Sequence, residues 1–364
     1  MRGRVPVARR SILADGRRLV TGVFGLGAAI ALILLLQGMW SGVQVQVASY
    51  DQNSGVQLFV GDRDARSTSD SSTVSPEALR KIRTMSDVQA ADPILLHWNI
   101  LTLHDKRIFT EVVGFDPGRL GGPWNIAAGR TVLRDDEIVV DQLLARQHGV
   151  RVGSTIEVTA RRFNVVGLST GTRTWMSAYV FITRRAAAEL AQAGDTSTFV
   201  LVRTREPAAV ASQISKLGLT PLTIPEIVRN DRKIFGVLKG PFSLMVLIAF
   251  VAGTLIVALT VYSQVVERVR EYGIVKAMGA RAGRLFGIVL GQTLVLGGLG
   301  VGVGLLLFAA GSRLLSLWRP QFWIRLSASQ IVFVIAAAVL MALLASIIPT
   351  RRVARLDPAT VYRG

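Results

Sequence analysis

The chain has 364 residues, half of them hydrophobic, a mean hydropathy of +0.43 and a formal net charge of +18. Soluble globular domains seldom combine these features, whereas multispanning membrane proteins with basic flanks do. Much of the basic excess sits beside apolar runs rather than on an interleaved aromatic and basic face, which argues against a nucleic-acid partner. Cysteine is absent, so disulfide frameworks and thiolate metal sites are excluded.

Residues 1–18 form a basic leader to the first apolar run, 19–40, which is long enough to cross a bilayer; that takes about 20 apolar residues. Arg9-Arg10-Ser11-Ile12-Leu13 resembles a twin-arginine signal. The run exceeds a usual signal core, however, and no A-x-A cleavage site follows, so it reads as a retained anchor.

Residues 41–240 are a polar block large enough for one domain or two small lobes. Runs rich in β-branched or aromatic residues predict strands at 56–60, 108–115, 138–140, 155–159, 163–168, 179–182 and 199–202. Helices are predicted at 76–85, with Ser75 as N-cap and Pro76 opening the first turn, and at 141–148, 184–193 and 207–217. Arg161 and Arg162 read as the turn of a hairpin. Residues 62–75 are polar and Ser-rich and read as a mobile excursion. The block's ends, 41–50 and 224–238, read as outward continuations of the adjoining spans, paired into a stalk, although Gln44-Val45-Gln46-Val47 alternates like a strand. The mixture predicts an α+β domain.

Three further spans follow at 241–263, 285–311 and 330–349, separated by a loop at 264–284 and another at 312–329, with a tail at 350–364. Fifteen Lys and Arg residues lie in 1–18, 264–284 and 350–364, against Arg313, Arg319 and Arg325 in 312–329. The positive-inside rule therefore places both termini and the 264–284 loop in the cytoplasm and 41–240 outside; a long domain translocates regardless of its own charge. The fold class expected is a membrane protein with four transmembrane helices, one plus three, and a large α+β extracytoplasmic domain between the first and second.

No catalytic constellation is visible. His97, His104 and His148 are scattered, with no zinc-binding or nucleophile motif around them. Asp135-Asp136-Glu137 reads as a solvated turn ahead of a strand, with cation binding as its rival. No metal or cofactor site is expected. The third span holds the GxxxG pairs Gly287/Gly291, Gly298/Gly302 and Gly300/Gly304, which allow close helix approach. No span core carries an ionisable residue, which disfavours an ion pathway.

None of the six lysines lies in a Gly-Lys-Ser/Thr sequence, so the chain lacks a P-loop. In the 264–284 loop Val265, Val269, Tyr272, Val275 and Met278 fall on one helical face, with Glu267, Arg268, Arg270 and Glu271 opposite. Gly273 offers a break and Gly279 a stop. Such a helix suits a partner's groove; a basic loop resting on anionic lipid suits the composition equally.

Arg270-Glu271-Tyr272-Gly273-Ile274-Val275-Lys276-Ala277-Met278-Gly279-Ala280 resembles the R-E-x-G-I-x-K-A-[LM]-G-A signature of FtsX-like permeases of ABC systems, the MacB/LolC/DevC superfamily. Pro349 followed by Ala354-Arg355-Leu356-Asp357-Pro358-Ala359 and Arg363 is similar to that family's ending. Gly129-Arg130 through Asp136-Glu137-Ile138-Val139-Val140, then His148 through Ser154 and Val165-Val166-Gly167, are similar to runs in MacB-type extracytoplasmic domains.

The resemblance implies a permease without ATPase activity of its own, in the bacterial cytoplasmic membrane, with residues 241–364 as the FtsX-like region. A separate ABC ATPase subunit would bind the ATP, and a second permease copy would complete a homo- or heterodimer. An extracytoplasmic adaptor, lipoprotein or hydrolase would be the outer partner. It further implies that Val269, Tyr272, Val275 and Met278 are apolar contacts to the ATPase, Glu271 and Lys276 polar ones, and that Arg270, Gly273, Ile274, Ala277 and Gly279 belong to the same coupling segment. The work would be mechanotransmission or export of a lipid, peptide or small molecule. The alternative is a non-transport regulator that activates a cell-wall hydrolase.

Overall fold

The computed structural model describes residues 16–103, 106–174, 178–278, 282–318 and 323–354. They form two compact units. One holds the apolar helices, and the other holds residues 42–237 together with Trp323.

The apolar unit contains α1 (Gly16–Gln46) up to residue 41. Three later helices complete it; they follow the outer block in the chain and are numbered below. All four are long and apolar enough to cross a membrane, and each extends past the apolar run that marks it, because helical hydrogen bonding continues into the flanking polar turns.

In the outer unit α1 ends at Gln46 and is followed by α2 (Ser49–Asn53). The strands and helices then run β1 (Leu58–Gly61), α3 (Pro76–Arg83), β2 (Val88–Leu103), β3 (Lys106–Phe115), β4 (Ile126–Gly129), β5 (Glu137–Asp141), α4 (Gln142–Gln147), β6 (Thr155–Val158), β7 (Arg161–Ser169), β8 (Tyr179–Thr183), α5 (Arg184–Ala191), β9 (Phe199–Thr204), α6 (Pro207–Ser215), β10 (Thr220–Thr223) and α7 (Ile224–Ile234). The sheet order is β10-β1-β9-β2-β3-β8-β5-β7-β4, with β6 pairing β2 and β7. The pairs β3–β8 and β5–β7 are parallel and the others antiparallel.

Alternation along the strands builds a layer on each face. Leu58 and Val60 join a cluster with Ile82 of α3 and Val210 and Ile214 of α6, while Phe59 between them joins Tyr50 of α2 and Ile227 of α7. On β3 Val112 packs towards Ala186 and Ala187 of α5, and Val113 towards the α2–α7 side.

Ser75 caps α3 as expected, accepting from Ala78 N at 3.3 Å. Two expectations fail. Residues 62–75 are packed rather than an excursion: Ala65 and Ser67 are buried, and Val74 bridges Ser197. The β6–β7 turn lies at Thr159 and Ala160, both left-handed, and not at Arg161–Arg162, which are paired with Val158 and Glu157. Residues 44–46 are helical and continue the first span outward, despite their strand-like alternation. Between the two ends of the block, Arg232 Nε donates to Gln44 O at 3.2 Å.

After a 3-10 turn at Phe235–Leu238 come α8 (Lys239–Glu267), α9 (Val269–Ala277), α10 (Ala282–Trp318) and α11 (Ala328–Ala354). Of the three GxxxG pairs only Gly300/Gly304 makes a close approach. A Cβ at either would come within 2.5 Å of Leu26 or Ile30 of α1, whereas Gly287, Gly291, Gly298 and Gly302 face open space.

Candidate functional site

The described part of 264–284 is a helix, a one-residue break and a second short helix. α8 ends at Glu267, and Arg268 leaves helical geometry at φ −107 and ψ 21. α9 then starts, with Tyr272 N bonding Arg268 O at 3.1 Å. The break is therefore at Arg268, and Gly273 lies inside α9, buried, rather than interrupting it.

The apolar face of α9 turns inward more than its pattern suggested. Tyr272 is 6% exposed, within a cluster that includes Val265 of α8 and Leu285 and Val289 of α10. Its hydroxyl donates to Oε1 of Gln292 at 3.2 Å, so the polar tip is satisfied where the ring is buried. Tyr272 is thus held by its own helices, which corrects its expected place as an outward contact. Val269 and Val275 are half-buried. Arg270, Glu271, Ile274 and Met278 are exposed, Met278 by 74%. The Arg268–Glu271 pair, at 4.0 Å on the surface, contributes under about 1 kcal/mol. Lys276 and Ala277 end the helix; Gly279 lies outside the described residues, as do His104 and the motif beyond Ala354.

In the outer unit the run from Gly129 to Gly167 has a structural explanation. Gly129 is left-handed (φ +75), and a Cβ there would meet Val166 O at 2.2 Å. Next to it Arg130 reaches Glu137 with both terminal nitrogens, at 2.8 and 2.6 Å. Glu137 also accepts from Leu133 N and Arg134 N, and the Arg130 hydrogen bonds, outweighing burial, hold its carboxyl down to about 2. Asp135 accepts from Thr183 Oγ1 and Asp136 from Asn164 Nδ2. The acidic triplet is a hydrogen-bonded turn.

The MacB-like periplasmic core domain matches residues 19–217, and the FtsX-like permease C-terminal domain matches residues 243–358. The chain belongs to the FtsX/MacB-type ABC transporter permeases. The permease is 25% identical over 353 residues to an uncharacterized ABC transporter permease of Mycobacterium tuberculosis (strain ATCC 25618 / H37Rv), covering 96% of each chain. It is 25% identical over 362 residues to one of Mycobacterium bovis, covering 98% of this chain and 99% of that one. It is 22% identical over 373 residues to the macrolide export ATP-binding/permease protein MacB of Hahella chejuensis, covering 92% of this chain and 55% of that protein. Among solved structures, the periplasmic region of MacB from Actinobacillus actinomycetemcomitans overlaps 48% of this chain and 92% of its own, at 12% identity and a TM-score of 0.38. The permease is a multi-pass membrane protein of a class that works with an ATPase.

Motif spacing did not anticipate three buried acids of the outer unit: Asp51 on α2, Glu111 on β3 and Asp231 on α7, at 1%, 7% and 0% exposure. Neither Asp51 oxygen has a hydrogen-bond donor among the described residues, and Oδ1 of Asp231 likewise has none. Burial, then the neighbouring Asp231, pushes the Asp51 carboxyl well up. Burial, then Asp231, pushes Glu111 up to about 8. One signal was legible: Glu111 interrupts the apolar alternation of Ile108 to Phe115.

Proposed function

We propose that the permease docks a separate ATPase on the exposed face of α9 and passes the ATPase's closure to its outer domain, hydrolysing no ATP itself. The observation that carries this reading is the division of α9 into two faces. Arg270, Glu271, Ile274 and Met278 point away from the protein, while Tyr272 is locked against α8 and α10. A load on the outer face is then transmitted to both spans as one body, because packed side chains transmit displacement.

The absent P-loop and the basic flanks support the same reading, which puts the α8–α10 turn and both termini in the cytoplasm of a bacterial inner membrane. A second permease copy completes the transporter, and the load it moves is a lipid, peptide or small molecule handled by the outer domain.

The test is co-purification of a P-loop ATPase with the tagged chain, against Ile274→Asp plus Met278→Asp. Both positions are exposed, so the variant should fold and reach the membrane while its ATPase yield falls at least tenfold. Undiminished ATPase yield from the double variant rejects the docking face.

A further inference from the structure

A cavity of about 410 Å³ opens in the outer unit where β2 leaves β9 at Ile94 and passes to β3 at Leu95. Thr68, Asp70, His97, Trp98, Glu111 and Thr198 are among the residues lining it. The Ser- and Thr-rich stretch at 68–73 forms one wall, and its Ser69, Ser71 and Thr73 are exposed at the rim. We propose that this cavity binds a small organic cation, a protonated or quaternary amine that also carries hydroxyl or carbonyl oxygens, with Glu111 as its counter-ion.

Four observations lead there. Glu111 is 7% exposed and lines the cavity, yet has no hydrogen-bond or ion-pair partner among the described residues. Facing the cavity, it can stay neutral, but ionising it in so enclosed a place is costly without a counter-ion. The chain carries 42 Lys and Arg residues, but none lines this cavity, so a cation that pairs with Glu111 comes from outside the lining. Trp98, stacked on Phe109 at 5.3 Å, adds an aromatic ring of the kind that attracts alkylammonium groups.

The fourth observation sets the rest of the ligand. Asn99 Oδ1 accepts from Ile100 N, so its amide nitrogen faces His97 Nε2 at 3.3 Å. That leaves the hydrogen of the neutral ring on Nδ1, which is buried without an acceptor. Once the ring shifts to open it to the cavity, a ligand oxygen would accept from it. The volume suits a compact molecule rather than a polymer. Among the described residues no three acidic or histidine side chains converge as metal ligands, which favours an organic cation over a metal ion.

Glu111 must ionise to act as counter-ion, so binding releases a proton. The groups facing it are Asp231 of α7, Asp51 and Tyr50 of α2, Tyr179 of β8, and His97 and Asp70 across the cavity. The two aspartates oppose its ionisation, so a bound cation also relieves their repulsion, and α2 and α7 are the segments that adjoin α1 and α8 in the chain. The inference does not depend on ATPase docking at α9.

The experiment is titration calorimetry on the full-length permease in zwitterionic nanodiscs, with choline, putrescine and lysyl-lysine, and with neutral 3,3-dimethylbutan-1-ol as the control. At least one amine should saturate the protein below about 10 mM. Its affinity should rise more than tenfold from about pH 6.5 to about pH 8.5 as Glu111 loses its proton. Glu111→Gln should weaken it at least tenfold. So should Ser71→Arg, which brings a guanidinium to the exposed rim without disturbing the core. No saturation by any of the three amines, equal binding of the neutral alcohol, or full affinity in both folded variants overturns the proposal.

Discussion

The Tyr272 hydroxyl of α9 donates to Gln292 of α10 across 3.2 Å, twenty residues along the chain. The bond makes the short helix part of the helical bundle instead of a free loop between two spans. Its ring is buried in one apolar cluster with Val265 of α8 and Leu285 and Val289 of α10, so movement of α9 is coupled to its neighbours.

Tyr272→Phe keeps the ring and removes only the hydroxyl, so it should cost about 1 kcal/mol. Tyr272→Ala leaves a cavity and should cost about 3 kcal/mol or more. The thermal midpoint of the detergent-purified permease should therefore drop several degrees for alanine and little for phenylalanine. ATPase stimulation should follow the same order. Equal midpoints for the two variants would mean that the ring does not anchor α9.

The close approach of Gly304 to Ile30 supplies a second comparison. A Cβ at Gly304 would sit 2.5 Å from Ile30 Cγ2 and 3.0 Å from the backbone oxygen of Gly27, which leaves a larger side chain no room. Gly304→Leu should destabilise by about 1–3 kcal/mol through overpacking. Gly302→Leu, on the open side of the same helix, should leave the unfolding midpoint of the dispersed protein within a degree or two.

Much of the architecture was legible because apolar length and strand periodicity are local properties. The segments missed are those where a local signal misleads. β2 is the longest strand of the sheet, yet Asp92-Pro93 in its first half reads as a break; Pro93 is tolerated there because it pairs with β9 before pairing with β3 begins at Leu95. β10 is short and carries Pro221, which is tolerated because β10 is the edge strand. At α9 the helical period was visible, but an apolar face fits a partner's groove and the chain's own bundle alike, and periodicity alone could not assign Tyr272 to the bundle. Asp51, Glu111 and Asp231 come together only through folding, from positions far apart in the chain.

Those acids predict a pH dependence. Asp51 and Glu111 have carboxyls raised by burial and by Asp231. An acid raised in the folded state contributes stability that is complete below its unfolded value. That contribution is lost as pH rises towards the folded value, about 8 for Glu111. The thermal midpoint should fall from about pH 5 to about pH 9. Asp51→Asn removes one charge and offers an amide donor to Asp231 Oδ1, so it should raise the midpoint at alkaline pH and flatten the slope. A steeper slope in the variant would contradict this.

Glu137 should behave in the opposite sense. Its carboxyl is held down to about 2, first by the Arg130 hydrogen bonds. Its stabilising effect is present above about pH 4.5 and is lost as pH falls towards about 2. Glu137→Ala leaves Leu133 N and Arg134 N without their acceptor and should cost about 2–3 kcal/mol at neutral pH. The loss should shrink in unfolding curves recorded near pH 3, and a loss independent of pH would show that the carboxylate charge is not its cause.

The β6–β7 hairpin offers a stabilising change. Thr159 and Ala160 occupy the two turn positions at φ 42 and φ 62, a conformation that Asn and Gly adopt at less cost. Thr159 is β-branched, which makes the left-handed region least favourable there. The strands on either side are fixed by Glu157–Arg162 and Val158–Arg161 pairing, so the turn cannot relax without breaking the ladder. Ala160→Gly alone relieves the strain at the second position but loosens the unfolded chain, and the two effects partly cancel. Thr159→Asn with Ala160→Gly should add about 1 kcal/mol net. Denaturant unfolding followed by the fluorescence of the buried outer-domain aromatic residues should then move to higher denaturant with an unchanged slope. An unchanged or lowered midpoint would mean that Thr159 and Ala160 are not strained in the folded protein.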